Sequence, residues 1–252
     1  MGGSTEIKLV TLNTHGLKGN ALYIENIVQL NDIIFLAERW LLDFETFLLD
    51  QISSSHVPIT QSGQKHESGR PFGGHCFFVK NTLSQNVNIL HKDEHILAIE
   101  ISLGDSQFII IGIYLPAFQN NSTSLEKYEI SLASINSIIN QYIHQCEIII
   151  MGDFQSFPNN IYDTHERCHS SRNNFSSTLQ HFLVENEFDL LDVTNGTGPN
   201  ITYHHATLQH SSYIDHIAVS KHSSLNNHGC KVINIVIRKR VSPERRPDAS
   251  LT

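Results

Sequence analysis

The sequence predicts an α/β sandwich with helices outside its sheets, and three observations carry that expectation. Apolar runs such as "FIIIGIY" and "EIIIMG" are too continuous for strands with one wet face, so they imply burial on both sides. Between them, in the stretch 124–144, Leu125, Tyr128, Leu132, Ile135, Ile138 and Ile139 share one helical face. With 252 residues, 40% hydrophobic and 17% charged, the chain is long enough for one large domain with a substantial core.

Strand-like runs follow in order at 7–12 (IKLVTL), 33–37 (IIFLA), 74–80 (GHCFFVK), 96–101, 108–114, 147–152, 188–193 and 213–219. A second helix is expected at 172–186, where Phe175, Leu179, Phe182 and Leu183 repeat at helical spacing. The segment 52–73, rich in Ser, Gly, His and Gln, reads as a loop, and no internal repeat or interdomain linker is evident. The expected organisation is one domain over 1–237 and a basic, disordered tail over 238–252. That tail holds "RKRVSPERR", with five of the seventeen Lys and Arg residues.

Composition narrows the function classes. The formal charge of −8 is unlike that of a typical nucleic-acid binder. Neither a run of about 18 apolar residues nor a secretory signal is visible, so an intracellular protein with no membrane span is expected. Cys76, Cys146, Cys168 and Cys230 lie far apart without a C-x-x-C pair and read as reduced thiols rather than a disulfide framework. His204, His205, His210, His216, His222 and His228 crowd one region, yet their spacing fits no common zinc pattern; they read as loop and surface histidines.

Polar residues at the ends of buried strands need a reason. Asn13 follows "IKLVTL", Glu38 follows "IIFLA", Tyr114 follows "FIIIGI" and Asp153 follows "EIIIMG"; a fifth, Asp215, lies inside "SSYIDHIAVS". Singly, each has an ordinary explanation: Asn13 a turn, Glu38 a surface pair with Arg39 or Lys80, Asp153 a cap for the following loop. Together they suit a site for a hard cation and a phosphate, because Mg²⁺ prefers carboxylate and amide oxygens.

The series "TLNTHGL", "FLAERWL", "GGHCFFVK", "IIIGIYLP", "IIIMGDFQS", "ITYHH" and "SSYIDHIAVS" resembles the endonuclease/exonuclease/phosphatase superfamily, and within it the endonuclease domains of non-LTR retrotransposons. The resemblance implies a four-layer sandwich of two packed mixed β-sheets flanked by helices. It implies Mg²⁺ (or Mn²⁺) held with help from Asn13, Glu38 and Asp153, Tyr114 on the scissile phosphate, and Asp153 positioning or activating water. Asp215 would orient a catalytic histidine, and DNA would be the substrate, in the nucleus for a retroelement endonuclease. Two departures stand out. Gln155 replaces the Asn of the family's G-D-x-N, carrying the same amide one methylene further out, and the closing Ser-Asp-His is absent, leaving the fold C-terminally incomplete. Two other readings stay open: an inactive remnant that still binds metal or nucleic acid, and a phosphatase for a small phosphorylated molecule or lipid.

Overall fold

The computed structural model describes residues 7–158, 174–205 and 210–231, except 66, 68, 104, 105, 120, 200, 224 and 226–228. The expected tail at 238–252, Cys168 and His228 lie outside the described residues. The first sheet joins β1 (Leu9–Asn13), β2 (Ile33–Ala37), β3 (His56–Gln61) and β4 (His75–Lys80) in the order β1-β2-β4-β3. Its β1–β2 pair is parallel and the others are antiparallel.

The next five strands are β5 (Val87–Lys92), β6 (Ile96–Leu103), β7 (Ser106–Tyr114), β8 (Glu147–Asp153) and β9 (Phe188–Leu190). After them come the short β10 (Gly196–Thr197), β11 (Tyr203–His205) and β12 (His210–Ser212), then β13 (Asp215–Ser220) and β14 (Cys230–Lys231). The second sheet runs β5-β6-β7-β8-β13-β9, with β7–β8 as its parallel pair. Helices are α1 (Leu17–Leu30), α2 (Phe47–Asp50), α3 (Asn81–Ser84), α4 (Ser122–Tyr142), α5 (Asn174–Glu185) and α6 (Leu191–Thr194). Among the described residues no helix is long and apolar enough to cross a membrane.

Period-two alternation along fully buried strands builds four layers. Ile33, Phe35 and Ala37 of β2 pack with Phe77 and Val79 against Leu97, Ile99, Ile110 and Met151, filling the space between the sheets. Ile34 and Leu36, on the other face of β2, pack on Leu17, Ile24 and Val28 of α1. Ile109, Ile111 and Ile113 of β7 turn outward beneath α4 and α5, where Tyr128, Leu132, Ile135, Phe175 and Leu179 cover them. Gly112 belongs to this arithmetic: a Cβ there would stand 2.2 Å from the Phe35 ring that crosses from the other sheet. The four-layer sandwich expected from the resemblance is therefore the fold observed.

Several expected elements differ. The segment 52–73 is not all loop, since it holds β3; Pro58 and the polar ends of HVPITQ hide the strand from an apolar-run criterion. The run 188–193 is strand only to Leu190 and then turns into α6. The first strand is Leu9–Asn13 rather than 7–12, because its register is set by β2, from Leu9 opposite Ile33 to Asn13 opposite Ala37. The last major strand starts at Asp215, not 213. Helix α1 and strand β5 are additions; α1 buries only a sparse stripe and leaves Leu22 and Leu30 exposed, which blurs its periodicity. Cys76 and Cys146 are free thiols.

Candidate active site

Register brings the polar strand ends together. Asn13, Tyr114 and Asp153 are the last residues of β1, β7 and β8, and Glu38 immediately follows β2. Tyr114 lies opposite Asp153 in the parallel β7–β8 pair, while the antiparallel β13 begins with Asp215 opposite Asp153. Side chains then close the gap between sheets. The Asn13 amide Nδ2 donates to Glu38 Oε1 at 2.9 Å and to Asp153 Oδ2 at 3.0 Å. The Tyr114 hydroxyl also acts on Glu38. The five polar strand-end residues expected at the site thus meet at one edge of the sandwich.

The ordinary explanations fare unequally. Glu38 makes no surface pair with Lys80, which instead meets Asp32 at 2.8 Å, and Arg39 is fully buried. Asp153 does cap its loop, since its Oδ1 accepts the Gln155 backbone N–H at 2.9 Å. The Gln155 side chain does not reach outward; its Nε2 curls back onto Asp153 Oδ2 at 2.9 Å.

The backbone around this cluster is bent hard. Glu38 has φ 52°, Trp40 φ 53°, His15 φ 44° and Gln155 φ 56°, all in the left-handed region that ordinary side chains avoid. Tertiary hydrogen bonds hold these conformations: Thr14 Oγ1 donates to the Ala37 and Glu38 carbonyls, and the Gly16 N–H donates to Glu38 O at 2.8 Å. Gly152, with φ 140°, is required for a different reason. A Cβ at that position would meet the Ile113 carbonyl oxygen at 2.1 Å, so only glycine lets β8 deliver Asp153 beside β7.

Charge is unevenly satisfied here. Burial pushes Glu38 up, but hydrogen bonds from His15 and Asn13, the His15 charge and the Tyr114 hydroxyl together bring it below the usual carboxylate value. His15, whose Nδ1 is 3.3 Å from Glu38 Oε2, is raised by that bond against the effect of its own burial. Asp153 is raised well above its ordinary value by burial and then by the Asp215 charge. Burial pushes Asp215 up to about 7. Its residue is half-buried overall, yet Oδ1 is sealed from solvent without a hydrogen-bond partner.

Two buried like charges with an orphaned oxygen between the strands form a donor set short of a cation. Among the described residues no group of three His, Cys, Asp or Glu side chains forms a ready-made metal nest. An ion here would rest on Glu38, Asp153, an amide oxygen and water, a composition that Mg²⁺ accepts. The Asn13 Nδ2 now lies between the two carboxylates, and its Oδ1 accepts the His15 N–H at 3.2 Å. A half-turn of the amide would present oxygen instead, so the residues present fit the group.

His216, next to Asp215 on β13, faces the opposite way, as expected for successive strand residues. Its Nδ1 lies 2.9 Å from Asp192 Oδ2 and its Nε2 lies 3.2 Å from the Ser156 carbonyl, all buried. Asp192 Oδ1 accepts the Ile217 N–H at 2.8 Å. Of the crowded histidines, His222 sits at the surface beside Glu187.

Sequence reasoning passed over three residues at the mouth: His15, Trp40 and Arg70. The Trp40 Nε1 donates to Glu38 Oε2 at 3.2 Å, and the Arg70 guanidinium lies 4.0 Å from the centre of its ring. His15 and Trp40 both stand within the quoted motifs "TLNTHGL" and "FLAERWL", so adjacency to Asn13 and Glu38 was the available signal.

No protein-family model matches the sequence, and no curated protein matches it. Solved structures do. The 3′ phosphatase NExo from Neisseria bound to product DNA hairpin is 17% identical with a TM-score of 0.63, covering 86% of this chain and 87% of that one. An AP endonuclease from Leishmania major is 12% identical with a TM-score of 0.66, covering 85% and 79%. The endonuclease domain of TRAS1, a telomere-specific non-LTR retrotransposon, is 12% identical with a TM-score of 0.58, covering 86% of each chain. At these identities the likeness is one of architecture: the chain has the endonuclease/exonuclease/phosphatase fold.

Proposed function

We propose that the chain is a hydrolase of phosphodiesters in nucleic acid, working with Mg²⁺ or Mn²⁺ at the edge where both sheets deliver their polar ends. One observation carries this reading: Asn13, Glu38, Tyr114, Asp153 and Asp215, drawn from five strand ends, converge on a single cluster of carboxylates, amide and phenol. Its architectural neighbours include a DNA 3′ phosphatase, AP endonucleases and a retrotransposon endonuclease domain, which supports a nuclease or phosphodiesterase over unrelated chemistry.

Glu38 and Asp153, with the Asn13 amide, would hold the cation, which when bound neutralises charge developing on the phosphoryl oxygens. Asp153, held by Asn13 and Gln155, is placed to take a proton from an attacking water. The Tyr114 hydroxyl, at the end of β7 beside Glu38, is placed to meet a phosphate oxygen. Asp215, expected to orient a histidine, here acts on Asp153 through its charge.

Plasmid nicking with and without Mg²⁺, beside a phosphate-release assay, tests this. Glu38→Gln and Asp153→Asn should each lower Mg²⁺-dependent cleavage by about 10²–10³-fold. Undiminished cleavage by Asp153→Asn would refute the assignment.

A further inference from the structure

Beside the carboxylates stands a feature that bond cleavage itself does not use. Trp40, the single tryptophan of the chain, is half-buried with its indole N–H on Glu38. Part of its ring rests on Gly16, where a Cβ would come within 2.5 Å of it. The exposed Arg70 guanidinium lies over the ring at 4.0 Å and makes no salt bridge among the described residues.

Arg70 sits on a segment pinned to the site. Gln64 and Phe72 exchange two backbone hydrogen bonds of 2.9 Å, the Gly63 N–H donates to Leu41 O at 2.8 Å, and the Trp40 N–H donates to Gly73 O at 3.0 Å. Further cations stand nearby. Lys18 bonds Glu45, Lys65 also acts on Glu45, and the Arg70 charge is felt at His15.

A guanidinium stacked on an indole has one face covered while its N–H edge stays available, and that planar fork matches a phosphate. Its outer face is a plane on which a nucleobase can stack. The phosphate being cleaved belongs to the carboxylate cluster, so Arg70 is equipped for a second anion. A small phosphomonoester has none to offer; a strand always does.

We propose that Trp40 and Arg70 form a clamp for an uncleaved phosphate, and the base beside it, of a single nucleic-acid strand entering the site. The proposal deepens, and rests on, the reading of the site as a phosphodiester hydrolase.

Trp40 fluorescence reports binding directly, because no other tryptophan contributes. Without divalent cation, a short single-stranded oligodeoxynucleotide should quench it in a salt-dependent titration. Arg70→Gln should weaken that binding roughly tenfold and reduce the salt slope by about one. With Mg²⁺, Arg70→Gln should raise KM for the oligonucleotide with kcat unchanged, and leave hydrolysis of bis(p-nitrophenyl) phosphate as in the wild type. Arg70→Lys should recover the charge-dependent part alone. The clamp is overturned if Arg70→Gln binds the strand with unaltered affinity and slope. It is equally overturned if phosphoinositide-containing vesicles perturb Trp40 while the oligonucleotide does not. Wild-type cleavage of the small diester with strand handling indifferent to Arg70 sinks the clamp alone; no cleavage of either substrate sinks the proposed function, and the fluorescence titration still decides the clamp.

Discussion

Asp215 and His216 are neighbours on one strand and live in opposite circumstances. His216 faces the helical side, where Asp192 and the Ser156 carbonyl meet both of its ring nitrogens. Asp215 faces the site edge, where its neighbour across the ladder is another carboxylate and one of its oxygens has no partner. Sealed polar atoms therefore serve two ends. Matched polar groups hold β13, α6 and the loop after Asp153 in place, whereas mismatched ones leave the site edge electrostatically unsatisfied.

Breaking the matched side should cost most. His216→Ala removes the imidazole from Asp192 Oδ2 in the core and should lower unfolding free energy by about 3–5 kcal/mol in urea denaturation. Replacing both partners by leucine should recover part of that loss. If His216→Ala is neutral, the pair is not a structural clamp.

His75 offers an intermediate case, a fully buried histidine whose ring nitrogens meet no well-aligned partner. Burial, with the Arg39 charge adding to it, pushes it down to about 4 from 6.5. The unfolded chain then binds more protons between those values, so His75's contribution is present above pH 6.5 and lost as pH falls toward 4. Relative to His75→Gln, the wild type should lose on the order of 3 kcal/mol across that window. A parallel pair of pH–stability curves would contradict this.

Relieving the mismatched side should give the smallest change, and one of opposite sign. At pH 8, above its value of about 7, Asp215 is ionised beside Asp153. Asp215→Asn should stabilise the metal-free protein by about 1–2 kcal/mol, read as a raised unfolding midpoint. A destabilised variant would mean that the two carboxylates do not repel each other in the fold.

The sandwich was legible because its central strands are apolar on both faces and end abruptly: "FIIIGIY" and "EIIIMGD" announce both a buried sheet and the residues it delivers. Asn13, Glu38, Tyr114 and Asp153 stand where such runs stop. What stayed hidden depends on conformation rather than composition. Trp40 comes to lie against Gly16 only because Glu38 and Trp40 adopt left-handed backbone angles, and Arg70 covers it only because a segment read as loop folds back through Gln64 and Phe72. Strand β3 escaped notice because Pro58 and flanking polar residues break the apolar run, and α1 because its buried stripe is just Leu17, Ile24 and Val28.

The hydrogen bond between Asn13 and Asp153 spans 140 residues of chain. During synthesis the first sheet, complete by Lys80, can form while Asp153 and Asp215 are still unmade. A nascent chain at that stage carries Asn13 and Glu38 but lacks the strands that bring the acids to them, and such long-range pairing comes late in folding. The cluster is thus incomplete on the ribosome until β8 and β13 dock, a delay written into the order of its strands.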